Sequence, residues 1–255
     1  MTLRLDGKVI IITGAGGGIG SVTAQRLAAE GARVVLADVD IAAANRALAR
    51  VTAVGGEART AEVDVADSDS AKGLMDFAVA EFGQLDGLHN NAAQMAPDFL
   101  KLDGDLIETP HWVWQRTLDV DLTGCFNCIR HALPYLLQRG GSIVNTSSDG
   151  AFSADPGFVG YSVAKAGMLA ITRHVASRWG KERIRCNAIA PGLIVSEASR
   201  ARLDDRWFED TLAKNKSWRL GDPTDVAAMV AMLMSEDGEW INGQTISING
   251  GAMMR

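Results

Sequence analysis

Short apolar runs alternate along the chain with longer segments of helical periodicity. Apolar runs of about four to eight residues, bounded by glycine or polar residues, are typical of buried parallel strands. The pattern predicts strands at residues 8–13, 33–38, 59–65, 85–89, 142–148, 185–190 and 245–248. It predicts helices at residues 21–30, 68–82, 112–138, 158–179 and 226–234. Alternating strands and helices require right-handed crossovers and a parallel sheet.

This alternation continues over 255 residues without repeats or linkers, and 47% of the positions are hydrophobic. A chain of this size can bury one large core. We therefore predict a single domain over residues 1–255, with an α/β, Rossmann-like, doubly wound, seven-stranded parallel sheet and helices on both faces. The irregular stretch 94–110 follows the predicted fourth strand and forms a long loop at the edge where open sheets bind ligands.

Charge and composition exclude several classes of function. The net charge is −6, with acidic and basic residues interspersed, so neither nucleic acid nor a membrane surface is an expected partner. No secretion-type leader and no apolar run of membrane-spanning length are visible, which predicts a cytoplasmic protein. Small molecules and copies of the chain are the expected partners.

The chain contains three cysteines, Cys125, Cys128 and Cys186. An odd number in a chain of this size does not indicate a disulfide framework. Cys125 and Cys128 form a C-x-x-C pattern, but it falls inside a helical segment without further Cys or His at ligand spacing. We expect buried, reduced thiols and no metal site.

A glycine-rich turn lies between the first predicted strand and the first predicted helix. It runs Gly14-Ala-Gly-Gly-Gly18-Ile19-Gly20. Glycines let the backbone turn tightly and approach a pyrophosphate, whose charge is met by the amides and dipole of the helix N-terminus. The alternative is a flexible glycine-rich loop, but the position between strand and helix favours a dinucleotide site.

Asp38 ends the second predicted strand, 18 residues after Gly20. An acid is expected there to bind the hydroxyls of the adenosine ribose, and its charge would repel a 2′-phosphate. The neighbouring Gly17 and Val39 offer no cation for such a phosphate, which favours NAD over NADP. The alternative is that Asp38 caps the following helix. Asp64 and Val65 fall where the end of the third strand could meet the adenine edge.

Tyr161 and Lys165 are four residues apart in the predicted helix 158–179, so their side chains share one face. A free phenol ionises near pH ~10, and a nearby cation favours the phenolate, which makes it a useful proton donor or acceptor. Taken alone, such a pair is common on solvated helix faces, so the hypothesis depends on the other motifs.

Together these motifs resemble the short-chain dehydrogenase/reductase family, from Gly7 to Gly251. The resemblance also rests on Ser148, 13 residues before Tyr161, on Asn90-Asn91-Ala92-Ala93 with Ala93 in place of the usual glycine, on Pro191-Gly192 and on Asn249-Gly250-Gly251. Each motif is degenerate, but their order along the predicted elements is specific.

The resemblance implies an NAD-dependent alcohol dehydrogenase or ketone reductase. Tyr161 would be the general base, Ser148 would hydrogen-bond the reacting oxygen, and Lys165 would bind the ribose of the nicotinamide half and favour the ionised phenol. Hydride transfer belongs to the cofactor. Ile194 would offer backbone contacts to the nicotinamide amide, and Ser196 stands where the family usually has threonine. The implied cofactor-binding residues are Gly14, Gly18, Ile19, Gly20, Asp38, Asp64, Val65, Asn91, Ala92, Tyr161, Lys165, Pro191, Gly192, Ile194 and Ser196.

Asp121 departs from the family, which normally has asparagine at this position as the fourth member of a catalytic tetrad. The family residue helps a water molecule to relay protons through the lysine, and its backbone carbonyl makes much of the contact, so an acid is tolerable there. An ionised Asp121 near Lys165 would partly offset the cation beside Tyr161. The alternative is a surface role without catalytic effect.

Residues 193–220 are expected to form a substrate loop or lid within the domain. Trp207, Phe208, Leu212 and Trp218 are interleaved there with basic residues, which suits a bulky, apolar or cyclic secondary alcohol or ketone. The same aromatic residues could instead pack the lid onto the domain.

Two alternatives to the NAD-dependent enzyme remain. One is an NADPH-dependent carbonyl reductase of the same fold, and the other is a non-catalytic NAD-binding sensor or scaffold. By resemblance, helices 112–138 and 158–179 would pair with their copies, and the last helix and strand would form a second contact, which gives a homotetramer. The substrate, its stereochemistry and the physiological direction do not follow from the sequence.

Overall fold

The structure is a computed structural model that describes residues 3–153, 156–196, 199–200 and 204–254, without the side chain of Lys214. Seven parallel strands form one sheet in the order β3-β2-β1-β4-β5-β6-β7. The strands are β1 (Val9–Thr13), β2 (Arg33–Asp38), β3 (Glu57–Glu62), β4 (Gly87–Asn90), β5 (Gly141–Thr146), β6 (Ile184–Pro191) and β7 (Thr245–Ile248). The strand order reverses between β1 and β4, which is the point where such sheets bind ligands.

Helices cover both faces of the sheet, as predicted. They are α1 (Gly18–Ala29), α2 (Ile41–Ala53), α3 (Ser68–Phe82), α4 (Pro97–Leu100), α5 (His111–Thr117), α6 (Gly124–Leu136), α7 (Val159–Trp179), α8 (Asp205–Lys214) and α9 (Pro223–Met234). Within the described residues, no helix combines the length and the apolar character that a membrane span requires.

Two apolar cores lie on opposite faces of the sheet, and β1 contributes to both. Ile11 packs with Met75 and Ile129 of α3 and α6. Ile10 and Ile12 pack on the other side with residues of α1, α2 and α9. Successive side chains of a strand point to opposite faces, so an unbroken apolar run is required when both faces are covered.

Some predicted boundaries differ from the observed ones. The predicted strand 59–65 is found at Glu57–Glu62, because the Asp64 carboxylate accepts a hydrogen bond from the Ala66 amide at 3.0 Å and turns the chain. The predicted strand 142–148 ends at Thr146, since Ser148 already caps the next turn. Helix α2 was not predicted, although its N-cap Asp40 accepts a hydrogen bond from the Ala43 amide at 3.1 Å.

The predicted helix 112–138 is divided by a π-helical segment, Leu118–Thr123, that joins α5 to α6. Such single wide turns are rare and occur frequently at functional sites. This one carries Asp121, which is 1% exposed. The sequence analysis reads the segment as continuous helix, because one wide turn spans too few residues to stand out in the hydrophobic pattern.

Candidate active site

A cavity of about 530 Å³ lies at the carboxyl edge of the sheet, over the switch point between β1 and β4. It is lined by residues that follow six successive strands. Parallel strands bring their carboxyl ends to one edge, so segments far apart in sequence meet there. Of the predicted site residues, those that line the cavity are Gly14, Gly18, Ile19, Asp38, Asp64, Val65, Asn91, Ala92, Ser148, Tyr161, Lys165, Pro191, Gly192, Ile194 and Ser196.

The glycine turn is fixed by the end of β4. The side-chain amide of Asn91 donates to the carbonyls of Thr13 and Gly14 at 3.2 and 3.1 Å. The Thr13 hydroxyl accepts the backbone amides of Asn91 and Ala92 at 3.1 and 3.2 Å. Gly14 has φ +64°, and a Cβ at this position would lie 2.8 Å from the Ala92 Cα. Both the backbone conformation and the available space therefore require glycine.

Gly18 begins α1 and lies against the segment that follows β6. A Cβ on Gly18 would lie 2.7 Å from the Cβ of Ser196. The N-cap residue Gly17 offers no side-chain hydrogen bond to the first turn of α1. Small residues and uncapped helix amides together form a cradle that suits a pyrophosphate. The residues present fit the dinucleotide that the sequence predicts.

Gly20 does not line the cavity. It is buried in the first turn of α1, where a Cβ would lie 2.2 Å from the Gly14 carbonyl oxygen. Its role is to let the helix approach the turn closely, so the geometry gives no direct cofactor contact for this predicted residue.

Asp38 points its carboxylate toward the glycine turn. Its Oδ2 accepts the Gly16 amide at 2.8 Å and its Oδ1 accepts the Asp40 amide at 3.0 Å. The N-cap of α2 is Asp40 rather than Asp38, so the capping alternative is wrong. Val39 is 65% exposed beside it. Neither Gly17 nor Val39 supplies a cation beside the Asp38 carboxylate at this end of the cavity.

Asp64 and Val65 lie past the end of β3 rather than within it. Asp64 pairs with Arg116 of α5, whose Nη2 lies 3.5 Å from the carboxylate. Asp64 and Val65 both line the cavity. The carbonyl of Val65 accepts a hydrogen bond from the buried Asn127 amide at 3.0 Å, which fixes this edge.

Tyr161 and Lys165 lie one turn apart on α7, and the ammonium nitrogen of Lys165 is 5.4 Å from the centre of the Tyr161 ring. Lys165 is only 2% exposed. Its Nζ donates to the carbonyl of Thr146 at 3.2 Å, and its own carbonyl accepts the Ser147 hydroxyl at 2.8 Å. The end of β5 therefore holds Lys165 at both its backbone and its ammonium group.

A buried histidine supports the same strand end. The Nε2 of His89 lies 2.8 Å from the hydroxyl of Thr146. Burial lowers the pKa of His89 to about 3, so the imidazole is neutral at physiological pH. It orients Thr146 without adding a second cation near Lys165.

Asp121 and Lys165 form a buried ion pair. The Asp121 Oδ2 lies 3.3 Å from the Lys165 Nζ, and both side chains are nearly inaccessible. The Asp121 Oδ1 accepts the Gln94 amide at 2.8 Å. Burial by itself lowers the pKa of Lys165, but Asp121 and Tyr161 outweigh it, so the pKa is raised above its ordinary value. Lys165 is therefore a stable cation, and the surface alternative for Asp121 is wrong.

Ser148 and Tyr161 flank Gly150 at the cavity. The Ser148 hydroxyl accepts the Gly150 amide at 3.0 Å. A Cβ on Gly150 would lie 3.4 Å from the Ser148 Oγ and 3.5 Å from the Tyr161 Cε1. The Ser148 hydroxyl and the Tyr161 ring thus both lie close to the same glycine, and both residues line the cavity.

The segment after β6 forms one wall of the cavity. The amide of Gly192 donates to the carbonyl of Ile248 at 3.0 Å. Ile194 forms an isolated bridge with Gly221, where a Cβ would lie 2.6 Å from the Ile194 Cδ1. These contacts fix Ile194 and leave Leu193 and Ser199 beside it in the cavity wall.

The predicted lid 193–220 is described in part, since residues 197–198 and 201–203 lie outside the described residues. Trp207 and Phe208 pack edge to face, with ring centres 5.5 Å apart. Neither belongs to the cavity lining among the described residues. The two rings contact each other, while Trp207 and Trp218 remain 38% and 86% exposed, so these contacts support neither a substrate role nor packing of the lid onto the domain.

Several lining residues were not predicted individually. Met95 and Pro97 come from the loop 94–110, whose position at the ligand edge the sequence did predict. Arg116 and Thr146 also line the cavity. No sequence motif marks them, because each reaches the site only through the packing of its helix or strand.

The three cysteines are buried and unbridged. Burial raises the pKa of the Cys125 thiol to about 12. Among the described residues, no group of three metal-ligating side chains could hold a metal ion.

Comparison with known proteins agrees with this geometry. A family model described as Enoyl-(Acyl carrier protein) reductase matches residues 14–253. The chain is 39% identical to a probable short-chain type dehydrogenase/reductase of Bradyrhizobium diazoefficiens, over 98% of this chain and 89% of that protein. It is 35% identical to 7alpha-hydroxysteroid dehydrogenase of Bacteroides fragilis, over 97% of this chain and 95% of that protein.

Among solved structures, a 7 alpha-hydroxysteroid dehydrogenase complexed with NADH and 7-oxo glycochenodeoxycholic acid superposes with a TM-score of 0.91. The two are 30% identical, and the match covers 100% of this chain and 97% of the other. Sequence and fold therefore agree over essentially the whole length. The chain belongs to the short-chain dehydrogenase/reductase family of oxidoreductases.

Proposed function

We propose that this protein is an NAD-dependent oxidoreductase that acts between a secondary alcohol and the corresponding ketone. One observation carries the proposal. The hydroxyl of Ser148, the phenol of Tyr161 and the ammonium of Lys165 line the same cavity as the glycine turn and Asp38. A proton-transfer group and a dinucleotide cradle in one cavity are what this reaction needs.

Each catalytic residue has a distinct proposed role. Tyr161 takes the hydroxyl proton of the alcohol, or returns it to the ketone oxygen, while Ser148 donates a hydrogen bond to the same oxygen. Lys165 favours the ionised phenol through its charge and binds ribose hydroxyls. The negative charge of Asp121 offsets part of the positive charge of Lys165. The nicotinamide, when bound, accepts or gives the hydride.

The remaining predicted contacts belong to the cofactor. The turn at Gly14, Gly18 and Ile19 would bind the pyrophosphate, and Asp38 the adenosine ribose. Gly20 would support that turn rather than touch the cofactor. The contacts of the adenine and nicotinamide ends would come from Asp64, Val65, Asn91, Ala92, Pro191, Gly192, Ile194 and Ser196.

Preference for NAD over NADP is expected to depend on the Asp38 carboxylate. A 2′-phosphate would be placed near this negative charge, and neither Gly17 nor Val39 supplies a cation for it. We expect NADH to bind at least about tenfold more tightly than NADPH, which is about 1.4 kcal/mol. Asp38→Ala should narrow that difference by weakening NADH binding and relieving the repulsion of NADPH.

Titration of tryptophan fluorescence with each reduced cofactor measures this preference. Asp40→Ala is the matched control, because it removes a neighbouring carboxylate that caps α2 and does not belong to the cavity lining. An unchanged NADH-to-NADPH ratio in the Asp38→Ala variant would refute the assignment.

The substrate is proposed to be bulky and apolar or cyclic. Met95, Pro97 and Leu193 supply apolar surface to the cavity lining. A bile-acid ketone is bound in a solved structure of similar fold, which supports the size class. The relatives include a meso-2,3-butanediol dehydrogenase, so small diols belong in any substrate panel.

The principal test is a panel of secondary alcohols and ketones with NAD and NADP, followed by absorbance of the reduced cofactor. Turnover of a cyclic alcohol with NAD would support the proposal. Turnover of ketones with NADPH alone would favour the carbonyl reductase. Cofactor binding without any turnover would favour the sensor or scaffold.

Asp121 is expected to shift the pH dependence of activity. Its carboxylate lies 3.3 Å from the Lys165 ammonium, and it offsets the positive charge that favours ionised Tyr161. Replacing Asp121 with asparagine removes that negative charge and makes the proton on Tyr161 easier to lose. The acidic limb of kcat/KM for alcohol oxidation should therefore lie at lower pH in Asp121→Asn than in the wild type.

Profiles of both proteins measured over the same buffers check this expectation. Asp119→Asn is a suitable control, since its carboxylate accepts a hydrogen bond from Gln115 on the exposed surface. Coincident acidic limbs in the wild type and Asp121→Asn would eliminate an electrostatic role for Asp121.

We also propose a homotetramer. An apolar groove between α6 and α7 is lined by residues such as Phe126, Leu133, Ile171 and Trp179. Phe126 is 47% exposed. An apolar helix pair of this kind suits a closed, symmetric contact with a copy of itself. Light scattering of the purified protein measures the assembly.

A cytoplasmic location stays a prediction.

A further inference from the structure

The helix that carries Tyr161 has no capping side chain at its own N-terminus. Its N-cap residue is Phe158, which offers no side-chain hydrogen bond and has φ +58°. The first amide bonded within the helix is that of Ser162, which donates to the Phe158 carbonyl at 2.9 Å. The amides before Ser162 must therefore find partners elsewhere, because buried N–H groups without partners are costly.

Two residues of the loop 94–110 bind all four of these amides. The Asp103 carboxylate accepts the amides of Gly160 and Tyr161, each at 2.9 Å. The carbonyl of Asp103 accepts the Phe158 amide at 3.0 Å, and the carbonyl of Gly104 accepts the Val159 amide at 3.2 Å. Asp103 is only 3% exposed. A residue 55 positions before the N-cap residue Phe158 thus performs the capping that the local sequence lacks.

The Asp103 carboxylate is suited to this capping role. Both carboxylate oxygens accept backbone amides, and hydrogen bonds to an ionised acceptor are about twice as strong as neutral ones. The carboxylate also lies at the positive end of a helix of 21 residues, where negative charge is favourable. A non-glycine residue at positive φ costs energy, and the Asp103 carbonyl holds Phe158 in that conformation.

The loop 94–110 also contacts the residue that pairs with Lys165, the second member of the catalytic pair. At its start, the amide of Gln94 donates to Asp121, the partner of Lys165. Between the two attachments, Met95 and Pro97 line the cavity. The loop therefore joins the Lys165 ion pair to the backbone of Tyr161 along the substrate side of the cavity.

We infer that Asp103 is a positioning residue for catalysis, which holds the Tyr161 phenol in reacting distance by fixing the first turn of α7. The inference deepens the proposed function and rests on it for its kinetic consequences. Asp103 itself does not belong to the cavity lining. Its loss should lower kcat far more than it weakens NADH binding, because most of the predicted NADH contacts lie outside α7. A displacement of about 1 Å can reduce a rate by about a hundredfold.

The test compares Asp103→Ala and Asp103→Asn with the matched variant Asp105→Ala. Asp105 is an exposed residue of the same loop, and its carboxylate accepts the amides of Ile107 and Glu108 at 2.7 and 2.8 Å. Its loss loosens the loop without touching α7. We expect kcat to fall at least about tenfold in Asp103→Ala, less in Asp103→Asn, which keeps one acceptor, and by less than about twofold in Asp105→Ala. The Kd for NADH should stay within about twofold in all three.

A second measurement does not depend on activity. Hydrogen exchange of the amides 159–161, read against the buried middle of α7, should accelerate in Asp103→Ala and stay unchanged in Asp105→Ala. Equal losses of kcat in the Asp103 and Asp105 variants, or unchanged exchange in a folded Asp103→Asn, would overturn the inference. A wild type that turns over no alcohol or ketone would refute the proposed function instead, and the exchange result would still decide whether Asp103 fixes the helix.

Discussion

Replacing Tyr161 with phenylalanine is expected to lower kcat by about a thousandfold and to leave NADH binding nearly unchanged. General acid–base catalysis by a positioned side chain contributes about a hundredfold to ten-thousandfold. In this cavity the ring of Tyr161 lies beside a buried, charged Lys165, and Ser148 and Tyr161 both lie close to Gly150. No other described tyrosine could replace it, because the second of the two tyrosines is Tyr135, outside the cavity lining.

Steady-state kinetics with the best substrate of the panel measures the loss, and tryptophan fluorescence measures the affinity for NADH. Tyr135→Phe is the matched control, since it removes the same hydroxyl from a residue that donates to Asp76 on the surface of α3 and α6. We expect its kcat to match the wild type. A Tyr161→Phe variant that retains more than about a tenth of the wild-type kcat would contradict the assigned role.

Replacing Lys165 with methionine is expected to remove activity and to lower the free energy of unfolding by about 3–5 kcal/mol. Methionine can fill much of the space of the lysine stem, but it leaves the Asp121 carboxylate buried without a cation. Breaking a buried pair by removing one partner is far more costly than removing both. The loss should therefore exceed what a change of shape alone would cause.

The double variant Lys165→Met with Asp121→Asn provides the decisive comparison. Asparagine keeps the oxygen that accepts the Gln94 amide and removes the unpaired charge. We expect the double variant to recover at least about half of the lost stability, as a coupling between residues in contact, and to remain inactive. Urea unfolding of all four proteins at pH 7 measures this cycle.

The pH of that measurement follows from the raised pKa of Lys165. A cation whose pKa is raised on folding contributes its full stability below the unfolded value of about 10.4, and that contribution is lost as pH rises through the folded value. At pH 7 the pair is therefore complete. A double variant less stable than Lys165→Met alone would show that Asp121 does not carry an unpaired charge there.

The order of strands and helices was predictable because burial imposes a simple pattern on a parallel sheet. A strand covered on both faces must be apolar at every position, as β1 is from Val9 to Ile12. A helix covered on one face must repeat its apolar residues with the period of the helical turn. Both requirements are local, so the sequence shows them directly. The glycine turn was predictable for the same reason, since its glycines and its place between a strand and a helix are local, whereas the close approach of Gly14 to Ala92 is a tertiary contact.

Features that arise from contacts between distant segments were not predictable in this way. The π-helical segment turns Asp121 toward Lys165, yet its residues read as ordinary helix. The cap of α7 comes from Asp103, and the only local sign is that Phe158 is an unsuitable N-cap. The edge of the cavity at Arg116 and Thr146 is set by how α5 and β5 pack.

The sequence by itself determined the fold, the family and the identity of the serine, tyrosine and lysine, because periodicity, glycine chemistry and spacing along one helix are properties of the chain alone. Only the tertiary structure decided that Asp121 forms a buried ion pair, that Gly20 supports the turn, and that Asp103 caps the helix of Tyr161. The physical reason is that charge pairing and capping depend on distance in space, which spacing in sequence does not fix beyond a single helix or turn.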